Sequence, residues 1–164
     1  MNYLILISLS SILLITFLTF SACSRLPSNP KKISITLSRG GGMSQNYSRI
    51  YISKDSCKYD RSYYDQEAKE QKKEHVTYSL NTEEFAQLYK VFKKYQFLKI
   101  QVRKEENVYD RGGTSITLMI DGKNHSKANA GLSFVKKGSL KNFQAIVNAI
   151  SQLNASKIKN LKQQ

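Results

Sequence analysis

The chain has 164 residues, 40% of them hydrophobic, and its 26 Lys and Arg outnumber 12 Asp and Glu to give a formal charge of +14. A chain of this size forms about one domain and can bury a core large enough to fold without disulfide staples. The charge favours anionic partners such as lipid head groups, acidic proteins or nucleic acid. Scattered lysines are also typical of a solvated surface, so the charge alone does not establish a polyanion site.

Residues 4–20 form an apolar run without a charged side chain. A helix of about 17 residues crosses most of a bilayer core, so the length fits either a secretory signal peptide or a membrane anchor. Ser21, Ala22 and Cys23 end the run. Two small residues before a cysteine resemble the lipobox of bacterial lipoproteins, although Phe20 stands where that motif most often has Leu.

The lipobox resemblance implies that residues 1–22 are a cleaved signal peptide and that Cys23 carries the lipid. Acyl chains such as palmitate would then hold the protein on an inner or outer membrane of the cell envelope, facing the periplasm. An uncleaved anchor is the alternative. Residues 23–32 suit a tether between membrane and domain, because Pro27 and Pro30 discourage regular structure.

The first half of the mature chain is patterned for β-structure. Apolar residues alternate most strictly at Ile33, Ile35 and Leu37. Such alternation predicts strands with one buried face. The predicted strands are residues 33–38, 47–53, 57–64 and 75–80. The charged residues 65–74 predict a solvated loop or a short exposed helix.

Two helices and a hairpin are predicted in the second half. Asn81 and Glu84 form a capping-box pattern at the start of the first helix. Its apolar stripe is Phe85, Leu88, Tyr89, Phe92 and Tyr95. Residues 97–100 lead into an irregular or extended segment. Strands at residues 114–120 and 123–128 flank Asp121-Gly122, a type I′ turn signal.

The last helix follows a loop at residues 130–138. Ser139 is its predicted cap, and its apolar stripe is Leu140, Phe143, Ile146, Val147, Ile150 and Leu153. Residues 155–164 are a polar basic tail that we expect to fray. The fold class is α+β: a single domain at residues 33–154, with an antiparallel sheet of about five to six strands and two helices packed on one face.

Two neighbouring groups of residues are candidates for binding a partner. Arg39, Gly40, Gly41 and Gly42 could form a backbone anion nest or a surface that meets a partner, or simply a mobile hairpin connection. No GK[ST] follows the glycines, so they are not a P-loop. Tyr47, Arg49 and Tyr51 interleave aromatic and basic side chains. That pattern suits a protein or glycan partner, or ordinary exposed strand tyrosines; the export signal argues against nucleic acid.

No set of residues predicts catalysis. With Cys23 lipidated, Cys57 has no disulfide partner and is best explained as a small buried hydrophobe. His75 and His125 lack neighbours at zinc-ligand spacing. Asp110 is best explained by turn hydrogen bonds before Gly112. We therefore expect no enzyme activity, no metal and no cofactor.

Two further resemblances span most of residues 33–153. The opening strand that runs into Arg39–Gly42, the segment Phe97–Ile100, the later Asp110 and the stretch from Ser115 to Lys123 resemble small uncharacterised lipoproteins of Bacteroidota. The order of elements, with glycines after the first strand, is similar to emfourin, a protein inhibitor of thermolysin-like metalloproteases. These resemblances imply a non-catalytic module, of inhibitor or immunity type, that binds an envelope or secreted protein. The alternative is a binder of envelope polyanions, such as lipopolysaccharide or anionic lipid, through the basic surface.

Overall fold

The alternating apolar residues form the central strand of the sheet. Ile33, Ile35 and Leu37 lie on one face of β1 (Ile33–Gly41) and are at most 5% exposed. The computed structural model describes residues 25–28, 30–42, 44–106 and 111–163. After β1 the elements are β2 (Ser44–Ser53), β3 (Cys57–Asp65), β4 (Glu70–Tyr78), α1 (Thr82–Lys94), a 3₁₀ turn (Phe97–Lys99), β5 (Val102–Lys104), β6 (Gly113–Ile120), β7 (Lys123–Asn129), β8 (Ser133–Val135) and α2 (Lys137–Leu161).

Six of the strands form one antiparallel sheet. Strands β1 to β4 make a meander, and the β6–β7 hairpin pairs with the other side of β1. The strand order is therefore β4-β3-β2-β1-β6-β7, and β5 pairs with β8 in a separate two-stranded sheet. The inward side chains of the large sheet share one core with the buried residues of α1 and α2. The predicted α+β class is confirmed.

The start of α1 is the predicted capping box. The Asn81 side chain accepts the backbone N–H of Glu84 at 2.8 Å, and the Glu84 carboxylate accepts the backbone N–H of Asn81 at 2.9 Å. Glu84 also pairs with Lys157 of α2 at 2.7 Å, so the same carboxylate joins the two helices. The predicted hairpin turn is confirmed as well, since Asp121 and Gly122 have φ values of 47° and 83°.

The prediction of a loop or helix at residues 65–74 is wrong. A turn at residues 66–69 leads into β4, which pairs with β3 over its whole length. This strand lies at the sheet edge and carries Glu70, Lys72, Lys73 and Glu74. Its hydrophobic alternation is therefore confined to its last residues, and pairing with β3 determines its conformation instead.

Three predictions around α2 are also wrong. The expected loop at residues 130–138 contains β8 and the start of α2. Ser139 does not cap the helix; its hydroxyl accepts the backbone N–H of Gln101 at 3.0 Å. The expected fraying of residues 155–164 is wrong as far as Leu161, because α2 continues to that residue. The buried Asn154 and the half-buried Ile158 hold this last part of the helix against the sheet side.

Part of the predicted tether is docked on the domain. Leu26 packs against the core, the Tyr89 hydroxyl donates to the Pro27 carbonyl at 2.9 Å, and the Lys93 amine donates to the Ser28 carbonyl at 3.4 Å. The chain therefore enters β1 from the helix side of the sheet. The predicted lipidation site, Cys23, lies outside the described residues.

Candidate functional site

The face of the six-stranded sheet opposite the helices carries several of the candidate binding residues. Neither α1 nor α2 covers it, since their buried residues all belong to the core on the other face. Its outward side chains are exposed or half-buried, apart from Ser34 and Ser53. We call this surface the open face. The strand register places on it Thr36, Ser38, Tyr47, Arg49, Tyr51, Lys58, Asp60, Ser62, Tyr64, Lys73, His75, Thr77, Ser115, Thr117, Met119 and Ser126.

Three of the predicted site residues lie together on the open face. Tyr47, Arg49 and Tyr51 alternate along β2 and so point to the same side. Tyr47 is 42% exposed, Arg49 is exposed and Tyr51 is half-buried. The interleaving seen in the sequence is therefore a real row of aromatic and basic side chains on one surface.

A polar cluster on this face was not found from the sequence. Asp60 and His75 lie opposite each other in the β3–β4 ladder, and their side chains meet at 2.6 Å between Oδ1 and Nδ1. The hydroxyl of Thr77 lies 3.3 Å from the other ring nitrogen of His75. The turn at residues 66–69 joins the two strands and lies in the segment for which the sequence predicts a loop or helix. The contact between Asp60 and His75 therefore follows only from the β3–β4 register.

The glycine run belongs to the paired strand rather than to a mobile connection. Strand β1 continues through Gly41, and a bulge between Arg39 and Gly41 precedes the turn at Gly42. A Cβ atom on Gly40, which has φ of +127°, would lie 2.6 Å from the Asn46 carbonyl oxygen and 3.3 Å from the Tyr47 ring. Gly40 is therefore required by close packing at this end of the open face.

Arg39 lies on the other side of the sheet from Tyr47, Arg49 and Tyr51. Its guanidinium donates to the Ser151 hydroxyl of α2 at 2.7 Å. Beyond this contact a groove of about 550 Å³ separates α2 from β3 and β4. Its charged lining residues are Arg61, Glu74, Lys159 and Lys162. We call this second, basic region the α2 groove. Arg39 lies near it, since the positive charge of Arg39 acts on the Tyr59 hydroxyl in the groove wall.

Tyr59 lines the α2 groove and is half-buried. Burial raises the pKa of its hydroxyl, and the neighbouring positive charge of Arg61 opposes that shift. Arg61 is partly neutralised by Glu74 at 3.9 Å and lies over the Tyr63 ring at 4.3 Å. The groove therefore has a cationic rim and an aromatic wall.

Cys57 is fully buried in the core. Its thiol lies 3.9 Å from the Ser53 carbonyl oxygen, and burial raises its pKa. A thiol in this environment is a poor nucleophile, because the reactive thiolate is disfavoured. Beside Cys57 in the β3–β4 ladder, Tyr78 donates its hydroxyl to the buried Asn154 side chain at 2.8 Å.

Within the described ranges, no three His, Cys, Asp or Glu side chains are grouped closely enough to hold a metal ion. None of the helices in this part of the chain is both long and apolar enough to cross a membrane. Asp110 and Met43 lie outside the described residues. A scan against protein-family models finds no match to this chain, and a comparison with curated proteins finds none either.

Proposed function

We propose that this protein is a membrane-anchored envelope lipoprotein whose non-catalytic domain binds another protein through the open face. The observation that carries the proposal is a six-stranded sheet face that neither α1 nor α2 covers and that carries aromatic and hydroxyl side chains. The lipobox resemblance at Cys23 supplies the expected location. Within this class, a protease inhibitor or an immunity-type protein is the role implied by the emfourin resemblance.

The size of the open face supports a protein partner. Five strand spacings of about 4.8 Å give a width of about 24 Å. An eight-residue strand such as β6 is about 27 Å long at ~3.4 Å per residue. The projected area is roughly 650 Å², which approaches the ~800 Å² that each partner buries in a standard protein–protein interface.

The composition of the open face also supports a protein partner. Tyr47, Tyr51 and Tyr64 provide large contact area at low entropic cost, while Ser38 and Ser115 provide adaptable hydrogen bonding. Protein-binding surfaces of antibodies use the same combination. The basic side chains on this face are interrupted by the Asp60 carboxylate and by neutral hydroxyls, which suits a mixed protein surface better than a uniform polyanion.

The β4 edge of the sheet is a poor site for pairing with a partner strand. A bare edge can pair with a partner strand, but charged side chains discourage such pairing. Strand β4 carries Lys72, Lys73 and Glu74 along the exposed edge of the sheet. We therefore place the contact on the face rather than on the β4 edge.

Site-specific photo-crosslinking in the native envelope tests the proposal. Benzoylphenylalanine replaces Tyr47 in the full chain, and Gln152, an exposed residue on α2, is the matched control position. We expect one crosslinked protein of defined mass from position 47 and none from position 152. Tyr51→Ala should then reduce the adduct. Equal adducts at both positions, or no adduct at position 47, would contradict the proposal.

A binder of envelope polyanions is the second candidate, and the α2 groove is the observation that favours it. Arg61, Lys159 and Lys162 concentrate positive charge around a cavity with one lining carboxylate, Glu74. Polyanion binding should weaken steeply between about 50 and 200 mM salt because it releases counterions. It should also be lost in Lys159→Gln/Lys162→Gln while Tyr51→Ala has no effect. The protein-binding proposal expects the opposite pattern.

A further inference from the structure

The docked segment fixes where the chain leaves the domain toward the predicted lipidation site, Cys23. Arg25 and Leu26 lie against the end of α1, and Arg25 directly follows the residues that lie outside the description. Leu26 packs on the core, and the Pro27 carbonyl is bonded to Tyr89. The predicted lipidation site, Cys23, is only two residues before Arg25. At no more than ~3.6 Å per residue, this spacing would hold the lipid-bearing backbone within about 7 Å of Arg25 and so close to the end of α1.

The surface at this exit point is basic. Arg25, Lys93 and Lys99 line a cavity of about 330 Å³, and Lys94 is the next exposed residue of α1. No carboxylate lines that cavity, and among the residues that the structure describes none of these four side chains forms an ion pair. We call these four residues the anchor-proximal surface.

The floor of the cavity is apolar. Leu26, Phe92, Phe97 and Leu98 provide it, beneath the cationic side chains. Phe92 and Phe97 are fully buried, so the accessible part of this surface is its cationic rim. Such a rim would meet the charged head groups of a membrane before its acyl chains.

We propose that the anchor-proximal surface lies against the membrane and binds anionic lipid head groups. The inference rests on the proposed membrane anchoring, because the anchor supplies the proximity. Head groups within a Debye length, about 8 Å at physiological salt, attract lysine and arginine without a dedicated pocket for each charge. The docked Leu26 then converts a flexible attachment into a preferred orientation, with the helix layer toward the lipid.

Lysine footprinting of the full chain tests this orientation. The protein is reconstituted into vesicles of phosphatidylcholine, with or without added phosphatidylglycerol, and is treated with an amine-reactive ester before peptide mass spectrometry. Labelling of Lys93, Lys94 and Lys99 should fall roughly fivefold or more when the anionic lipid is present, since each basic side chain near such a surface contributes about fivefold to its association. High salt should restore the labelling. Lys58 and Lys73 on the open face are internal controls and should not change.

A charge variant provides the second measurement. Lys94→Gln/Lys99→Gln should weaken the lipid association roughly 30-fold and so restore labelling of Lys93 in anionic vesicles. Lys58→Gln/Lys73→Gln is the matched control and should leave Lys93 protected. Equal labelling of Lys93 in neutral and anionic vesicles would overturn the inference, as would protection that persists in detergent, since the chain itself would then cover the surface. Failure of the full chain to sediment with vesicles of either composition would instead refute the anchoring.

Discussion

The hydrogen bond between Tyr78 and Asn154 gives a direct test of how the sheet edge is held to α2. The two residues are 8% and 5% exposed, and the Tyr78 hydroxyl donates to the Asn154 side-chain oxygen at 2.8 Å. Tyr78→Phe keeps the buried ring and removes only the donor, leaving a buried amide oxygen unsatisfied. The expected loss in the free energy of unfolding is about 1–3 kcal/mol. For a domain of this size, that loss corresponds to a Tm lower by roughly 3–9 °C.

The assay is urea denaturation of the full chain in a mild non-ionic detergent, followed by circular dichroism. Asn154→Leu should also destabilise, because it leaves the Tyr78 hydroxyl without its acceptor. The double variant Tyr78→Phe/Asn154→Leu should cost less than the sum of the single variants, with a coupling energy of about 0.5–3 kcal/mol. Tyr47→Phe, at a 42% exposed tyrosine, is the control and should change stability by less than about 0.5 kcal/mol. Additive single effects, or a Tyr78→Phe cost no larger than that of Tyr47→Phe, would refute the reasoning.

The difference in stability between the wild type and Tyr78→Phe should depend on pH. Burial, with a smaller contribution from the nearby Cys57, raises the pKa of Tyr78 above its ordinary value of 10.0. The folded protein therefore keeps the Tyr78 proton in a pH range where the unfolded chain has lost it. The contribution of the Tyr78 hydroxyl to the free energy of unfolding is complete below pH 10 and is lost as the pH rises further. The Tm advantage of the wild type over Tyr78→Phe should shrink between pH 8 and pH 11. A constant difference across that range would contradict the assigned burial effect.

The remaining predictions concern the sheet end, the helix pair and the docked segment. Gly113→Ala should lower the free energy of unfolding by about 1–3 kcal/mol, because the added Cβ would lie 2.1 Å from a carbonyl oxygen of β7. Urea denaturation measures this loss. A lysine of α2 lowers the pKa of Glu84, so the stability advantage of wild type over Glu84→Gln should be present at neutral pH and lost as the pH falls below the ordinary value of 4.5. Thermal unfolding across that range measures it. Tyr89→Phe should release the docked segment and speed tryptic cleavage after Arg25 roughly 2- to 10-fold, as expected for one partly exposed hydrogen bond.

Each of these predictions has a matched control. Gly138 of α2 has no atom within 4 Å of an added Cβ, so Gly138→Ala should stabilise the helix by about 0.5–1 kcal/mol. A Gly113→Ala variant as stable as Gly138→Ala would contradict the prediction, because β7 would then have moved to make room for the added methyl group. Tyr95→Phe, at the half-buried end of α1, should leave cleavage after Arg25 unchanged. If Glu84→Gln has the same effect at pH 3 and pH 7, then the carboxylate charge is not what joins the helices.

Sequence patterns predicted the elements whose own residues decide their conformation. The capping box at Asn81 and the Asp121-Gly122 turn are local signals, since side chains and φ preferences within four residues determine them. The apolar stripe of α1 and the alternation in β1 report burial on one face. These signals were sufficient for the α+β class.

The elements that were missed depend on partners distant in sequence. Strand β4 is held by β3, and most of its side chains are polar because it lies at an edge. Strand β8 has three residues and pairs with a segment about 30 residues earlier. The last turns of α2 are retained by the contact between Asn154 and Tyr78, which are 76 residues apart. No local pattern contains that information.

The sequence likewise predicted only part of the candidate site. Tyr47, Arg49 and Tyr51 are correctly placed on one surface because alternation within a strand is enough to group them. Arg39, from the neighbouring candidate group, points to the other face of the sheet, because it alternates with the outward residues of β1 and its side chain contacts Ser151 of α2. The pairing of Asp60 with His75 needed the β3–β4 register.

The proposed membrane contact and the proposed partner contact lie on opposite sides of the sheet, so the two proposals are compatible. Leu26 and Pro27 lie on the helix layer, so an anchored chain holds that layer nearest the lipid. The open face lies on the opposite side of the sheet, so in the proposed anchored state it would point away from the membrane. A partner could then approach Tyr47 and Tyr51 without displacing lipid, while the basic residues around Lys94 remain in contact with head groups. In this arrangement the positive charge near the anchor orients the domain, and the tyrosine-rich face is left free for recognition.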